Sequence, residues 1–114
     1  MKVKTYTLIT GASSGIGRGI ADKCAENGLN VLLVALKDNV LETALHELKS
    51  QYPNQNFDAL GIDMTLSDSP QKIFDWCQSN AYQVDILVNN VGIGNSGAFA
   101  SRPVDFYTRQ ARYV

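Results

Sequence analysis

Three glycines near the start of the chain have the spacing of a phosphate-binding turn. They lie in the run TGASSGIG, which begins at Thr10. Glycine is needed where the backbone takes left-handed angles, or where a ligand must touch the backbone with no Cβ in between. A helix that begins here presents N–H groups carrying roughly half a positive charge, which favours a pyrophosphate. The predicted contact residues of this turn are Gly11, Ser13, Ser14, Gly15, Ile16 and Gly17.

The spacing excludes the two commonest phosphate loops. A P-loop has four residues between its first two glycines and then Lys-Ser/Thr, whereas Gly15 follows Gly11 one residue too early. The fingerprint G-x-G-x-x-G, started at Gly15 and Gly17, would need a glycine where Ile20 stands. The remaining pattern is T-G-x-x-x-G-I-G, and a glycine-rich turn without a ligand is the alternative interpretation.

The segments around this turn predict strands that alternate with helices. Apolar runs at residues 4–9, 31–35, 57–62 and 85–88 predict strands, and residues 15–27, 39–52 and the segment from 69 onward predict helices. Residues 94–101 are expected to form a loop, and 103–113 a fourth helix. This order predicts an α/β fold of the Rossmann type, a doubly wound parallel sheet with strand order 3-2-1-4 that is truncated after about four strands.

Local patterns predict how the helices begin and which faces they bury. Ile16 is expected to share the buried face of the first helix with Ile20 and Cys24. Asn39 and Glu42 have the spacing of a capping box for the second helix. For the third helix, Ser69 is expected to be the cap before Pro70, and the inward-facing residues are expected to be Ile73, Phe74 and Cys77.

Composition indicates one globular domain over residues 1–114. The chain is 45% apolar and 18% charged with a net charge of −1, so nothing suggests nucleic acid or an anionic membrane as partner. No apolar run approaches the roughly 20 residues of a membrane span. Cys24 and Cys77 are expected to be free and buried, which fits a cytoplasmic location. His46 has no neighbours at metal-ligand spacing, so no metal site is predicted.

Three motifs together resemble the short-chain dehydrogenase/reductase family over residues 4–107. Besides the glycine turn, they are the run DMT at Asp63 and the run NNVG at Asn89. The resemblance implies that Asp63 accepts a hydrogen bond from the adenine amino group beside the Met64 backbone. It also implies that Asn89 ties the sheet together, while the backbone of Asn90 and Gly92 faces the nicotinamide ribose. The bound coenzyme is then a nicotinamide dinucleotide.

The end of the second predicted strand should distinguish NADP from NAD. An acidic residue there binds a ribose 2′-hydroxyl and repels a 2′-phosphate. Here the strand ends at Ala35, and the ammonium of Lys37 follows two residues later. Asp38 is expected to cap the next helix instead of binding ribose. The sequence therefore favours NADP, with NAD as the alternative.

The residues that complete hydride transfer in the resembling family are not in this sequence. That family uses a serine on strand 5 and a Tyr-x-x-x-Lys pair, and no tyrosine here is followed four residues later by lysine. The chain is therefore expected to be the dinucleotide-binding half of an oxidoreductase that interconverts ketones and secondary alcohols. The alternative is a catalytically inactive nucleotide-binding fragment or sensor module. The edge of the fourth strand, at Ile86, Leu87 and Val88, is expected to be exposed and to favour homo-oligomers.

Overall fold

Strands and helices alternate from Thr5 to Asn89. The structure is a computed structural model that describes residues 4–90. The strands are β1 (Thr5–Thr10), β2 (Asn30–Ala35), β3 (Phe57–Gly61) and β4 (Gln83–Asn89). The helices are α1 (Gly15–Glu26), α2 (Asn39–Gln51) and α3 (Ser69–Ser79). The loop predicted at 94–101 and the helix predicted at 103–113 lie outside the described residues.

The four strands form one parallel sheet in the order β3-β2-β1-β4. The predicted α/β class and strand order are therefore confirmed. Thr10 at the end of β1 is in register with Val34 on one side and with Asn89 on the other. At the next strand along, Ala35 is in register with Gly61. The carboxyl ends of all four strands thus meet at one edge, where the predicted site residues lie.

The sheet is covered by helices on both faces. Side chains alternate along each strand, so neighbouring residues belong to different cores. Ile9 and Leu33 point to the face covered by α1 and α2, whereas Leu8 and Leu32 point to the face covered by α3. All four are at most 4% exposed. Two continuous apolar layers therefore hold the strand ends in fixed positions.

Helix α1 buries a different face from the predicted one. Its buried residues are Gly17, Ala21 and Ala25, whereas the predicted stripe of Ile16, Ile20 and Cys24 lies one position earlier. Ile16 is 76% exposed, and Ile20 and Cys24 are only partly buried. The prediction was wrong for Ile16 and too strong for Ile20 and Cys24, because the small residues Gly17, Ala21 and Ala25 take the innermost positions of α1.

Helices α2 and α3 begin at other residues than the predicted caps. In α2 the cap is Asp38, whose Oδ1 accepts a hydrogen bond from the Leu41 N–H at 2.9 Å, so the Asn39–Glu42 capping box is wrong and the capping role predicted for Asp38 is confirmed. In α3 the cap position belongs to Asp68. Ser69 is instead a buried helical residue whose hydroxyl donates to the Asp63 carbonyl.

The inward face of α3 was mostly predicted correctly. Ile73 and Cys77 are buried against the sheet, but Phe74 is only partly buried, so that part of the prediction was too strong. The neighbouring Trp76 packs edge-on against the ring of Tyr82, with 5.4 Å between the ring centroids.

Strand β4 has β1 as its one neighbour within residues 4–90. Ile86 is 42% exposed on this strand, whereas Leu87 and Val88 are partly covered. The exposed edge is therefore confirmed for Ile86 and was overestimated for the other two. The longest helix in the described part of the chain has 13 residues, and none there is long and apolar enough to cross a membrane.

Candidate functional site

The glycine turn connects β1 to α1 at the carboxyl edge of the sheet. Gly11 has φ +64°, and its N–H donates to the Val34 carbonyl at 2.7 Å, which anchors the turn to β2. Gly15, the first residue of α1, has φ +59°, and a Cβ built on it would meet no heavy atom within 4 Å. The turn is therefore anchored to β2 through Gly11 and open to solvent at Gly15.

The positive end of α1 has no counter-charge of its own. The side chain of the cap residue Ser14 makes no capping hydrogen bond, and the first turn contains no acidic residue. In contrast, α2 begins with the Asp38 carboxylate on its N–H groups and has Glu42 in its first turn. Uncompensated N–H groups at a helix start attract an anion. Of these two helices, α1 is thus the one prepared to bind an external negative group.

Gly17 allows α1 to lie directly against the turn. A Cβ on Gly17 would be 1.9 Å from the Gly11 carbonyl oxygen and 2.7 Å from Nδ2 of Asn90. That amide also donates to the Gly11 carbonyl at 3.4 Å. The turn, the helix start and the end of β4 are therefore packed against one another, and this contact requires glycine for its small size.

Thr10 links β1 to the end of β4. Its hydroxyl donates to Oδ1 of Asn89 at 3.0 Å and accepts from the Asn90 N–H at 2.9 Å. The prediction that Asn89 ties the sheet together is thus confirmed. Sequence reasoning included Thr10 in the motif but missed this role, although a threonine at the end of a buried strand needs polar partners.

Lys37 lies against the end of β3. A Cβ built on Gly61 would be 2.4 Å from Lys37 Cβ and 2.9 Å from its Cγ, so the lysine stem crosses the bare glycine backbone. None of the ion pairs found within residues 4–90 includes Lys37. Arg18, a second cation near the turn, is bound to Asp22 at 3.0 Å and to Glu47 at 2.9 Å. Lys37 is therefore the cation near the strand ends that is available for a ligand.

Asp63 lies beyond β3, apart from the glycine turn. Its Oδ1 accepts hydrogen bonds from the N–H and the hydroxyl of Thr65, at 2.9 and 2.6 Å. These bonds lower the pKa of the Asp63 carboxyl below its usual value. Oδ2 has no protein hydrogen bond in the described part of the chain. Met64 is buried in the core that contains Leu8.

The structure groups the predicted site residues in three places along one edge. Gly11, Gly17 and Asn90 touch one another, Lys37 follows β2 and lies against Gly61 at the end of β3, and Asp63 follows β3. Gly92 lies outside the described residues. The contact of Gly61 with Lys37 was not predicted, and its signal was a glycine inside a strand, which often marks a close approach.

The strand order and the glycine turn define a Rossmann-type α/β protein. A family model described as short chain dehydrogenase matches residues 5–109. Since this match covers most of the sequence, the chain belongs to the short-chain dehydrogenase family. The family resemblance inferred from the three motifs is thereby confirmed.

Curated relatives and solved structures agree with this assignment. The chain is 32% identical over 103 residues to the uncharacterized oxidoreductase YvaG of Bacillus subtilis, covering 90% of the chain and 37% of that protein. It is 34% identical over 97 residues to a very-long-chain 3-oxoacyl-CoA reductase of Candida glabrata, covering 83% and 27%. The structure of L-sorbose reductase from Gluconobacter frateurii, complexed with NADPH and L-sorbose, superposes with a TM-score of 0.72 at 28% identity, covering 92% and 40%. The chain thus spans between a quarter and two fifths of these proteins.

Proposed function

We propose that this chain binds a nicotinamide dinucleotide, with NADP(H) preferred over NAD(H), as the coenzyme-binding part of an oxidoreductase. The observation that carries this proposal is the start of α1. It is uncapped by any side chain, has no acidic residue in its first turn and faces open space at Gly15. A pyrophosphate fits this arrangement because its two negative charges replace the missing cap.

The neighbouring residues fit the remaining parts of a dinucleotide. Asp63 has Oδ2 available to accept from an adenine amino group, with the backbone of Met64 beside it. On the other side of the turn, Asn90 contacts Gly11, and the backbone of Asn90 is assigned to the nicotinamide ribose, as is that of Gly92, which lies outside the described residues. Ser13 and Ser14 contribute to the phosphate turn, and Ile16, 76% exposed, covers the bound coenzyme.

The preference for NADP rests on three side chains near the ends of β2 and α1. Lys37 has no acidic partner among residues 4–90, whereas Arg18 is held by two carboxylates. Asp38, the acidic residue closest to the strand end, uses Oδ1 to cap α2. A 2′-phosphate can therefore pair with the ammonium of Lys37. A 2′-hydroxyl would need the Asp38 carboxylate, which already caps α2.

The proposed reaction is interconversion of a ketone and a secondary alcohol. The nicotinamide, when bound, accepts or donates the hydride, while the residues of this chain bind and orient the coenzyme. A second candidate is a nucleotide-binding module without turnover; residues 1–114 bind coenzyme in both cases and contain no Tyr-x-x-x-Lys pair. Sequencing the DNA beyond codon 114 separates the two candidates: an in-frame serine and Tyr-x-x-x-Lys pair would support the enzyme, and a stop codon would support the module.

The binding site itself is tested by Gly15→Val. This change places a branched side chain in the open space before α1, and we expect it to abolish the thermal stabilisation by NADPH. For the unchanged chain, ligand at 100 times its Kd adds about 2.7 kcal/mol. Gly28→Val is the matched control, since Gly28 also has positive φ (+82°) and open surroundings but lies beyond the other end of α1.

The two variants separate backbone strain from ligand exclusion. Both introduce a β-branched residue at a left-handed position, which costs about 1–2 kcal/mol of folding stability. Only Gly15→Val should lose NADPH binding. Normal binding by Gly15→Val, or equal loss in both variants, would refute the assignment of the glycine turn.

The expected setting of the protein follows from its cysteines and its sheet edge. Cys24 and Cys77 are both free, as predicted, and burial raises the pKa of Cys77 to about 12, so this group is a thiol at neutral pH. Free thiols fit the proposed cytoplasmic location. Association of two copies through the β4 edge at Ile86 stays a prediction.

A further inference from the structure

Position 61 requires glycine because a neighbouring side chain leaves no room for a Cβ. Its backbone angles do not require glycine. It ends β3 and is in register with Ala35, and the ladder continues with the Ile62 N–H donating to the Ala35 carbonyl at 2.8 Å. Its φ is not among the positive values, which belong to other glycines. Yet a Cβ on Gly61 would lie 2.4 Å from Lys37 Cβ, 2.8 Å from its Cα and 2.9 Å from its Cγ. Any side chain at position 61 must therefore displace Lys37.

The face of the sheet explains why these two residues meet. Phe57 and Ala59 belong to the core under α1 and α2, so the alternation of β3 places position 61 on the same face. Lys37 follows β2 and precedes α2, which covers that face. The last residue of β3 thus supports the aliphatic stem of Lys37, while its ammonium stays in solvent. A stem packed in this way has fewer rotamers, which restricts where the charge can lie.

We propose that Gly61 is a positioning residue for Lys37 and thereby strengthens the preference for a coenzyme that carries a 2′-phosphate. The inference rests on the proposed function, because it assigns Lys37 to that phosphate. Gly61 itself touches no part of the coenzyme in this proposal. Its substitution should consequently change the ratio of NADPH to NADH affinity and leave NADH affinity as it was.

The test is fluorescence titration of the full 114-residue chain with NADPH and NADH. In Gly61→Ala we expect NADPH to bind about tenfold more weakly, the equivalent of one charge-assisted contact, and NADH to bind unchanged. Lys37→Met keeps the Cβ and Cγ of the stem but removes the ammonium, and it should produce the same change in ratio. Adding Gly61→Ala to Lys37→Met should then have no further effect on the ratio. Gly19→Ala, at a glycine with open surroundings, is the control that should leave the ratio unchanged.

The outcomes separate this inference from the proposed function. If the unchanged chain binds neither coenzyme, the proposed function fails. If that chain binds NADPH but Gly61→Ala weakens both coenzymes equally, or neither, the positioning role is refuted and the proposed function stands. An additional loss of NADPH selectivity in the double variant also refutes it.

A folding defect in Gly61→Ala is resolved by a second variant. Lys37→Gly combined with Gly61→Ala removes two of the three atoms that the new methyl group meets. If this double variant has a higher melting temperature than Gly61→Ala alone, direct contact between positions 37 and 61 is supported. Failure to recover shows that Gly61 acts through other neighbours and overturns the inference.

Discussion

The contact of Gly17 with the glycine turn gives a substitution whose effect on stability can be worked out from the structure. In Gly17→Ala the new methyl carbon would lie 1.9 Å from the Gly11 carbonyl oxygen. Close carbon–oxygen contacts are about 3.3 Å, so the start of α1 must move away from the turn by about 1.4 Å. The Nδ2 atom of Asn90, at 2.7 Å, blocks movement in its own direction.

Two opposing contributions set the change in the free energy of unfolding for Gly17→Ala. Overpacking in a tight contact costs about 1–3 kcal/mol, and the fixed backbone of Gly11 places this case at the upper end. Replacing glycine by alanine within a helix returns about 1 kcal/mol. We therefore expect Gly17→Ala to lower the free energy of unfolding by about 2 kcal/mol, which lowers Tm by roughly 8–16 °C.

Gly19 supplies the matched control in the same helix. A Cβ on Gly19 would meet no heavy atom within 4 Å, and the φ of Gly19 is not positive. Gly19→Ala should therefore gain the higher helix propensity of alanine without a steric clash. It should stabilise the chain by about 1 kcal/mol. Thermal unfolding followed by far-UV circular dichroism measures both variants. If the two substitutions shift Tm in the same direction, the close approach of α1 to the turn is wrong.

Two further predictions concern the coenzyme charge and high pH. Lys37→Glu should weaken NADPH binding more than NADH binding, and titration with both coenzymes checks this; an unchanged ratio would show that Lys37 is not the selector. Burial and the hydrogen bond from the Tyr82 hydroxyl to Asp58 raise the pKa of Tyr82 above its ordinary value of 10.0. The folded chain then holds a proton that the unfolded chain releases, so stability should fall as pH rises above 10, and Tyr82→Phe should reduce this fall in urea unfolding.

The sequence was sufficient to predict the fold because apolar periodicity and the turn and cap residues between elements are local signals. Each can be recognised from a few neighbouring residues. Uninterrupted apolar runs such as residues 31–35 predict strands buried on both faces, and β1, β2 and β3 are each followed by a helix with a recognisable pattern. The buried face of α1 could not be predicted in the same way. Ile16 is apolar and falls on a helical period, but the close approach at Gly17 reverses the usual rule that larger apolar residues are buried.

The glycines show why motifs can indicate the proposed site but not every contact around it. Gly15 has positive φ and open surroundings, Gly17 has no room for a Cβ, and Gly61 lies against the stem of Lys37, which follows β2. A sequence motif identifies the first two because they are neighbours in the chain. The pairing of Gly61 with Lys37 spans a helix and a strand, so it exists only once β2 and β3 are in register. Specificity that depends on such a pairing is therefore invisible to local patterns, although both residues can be read from the sequence.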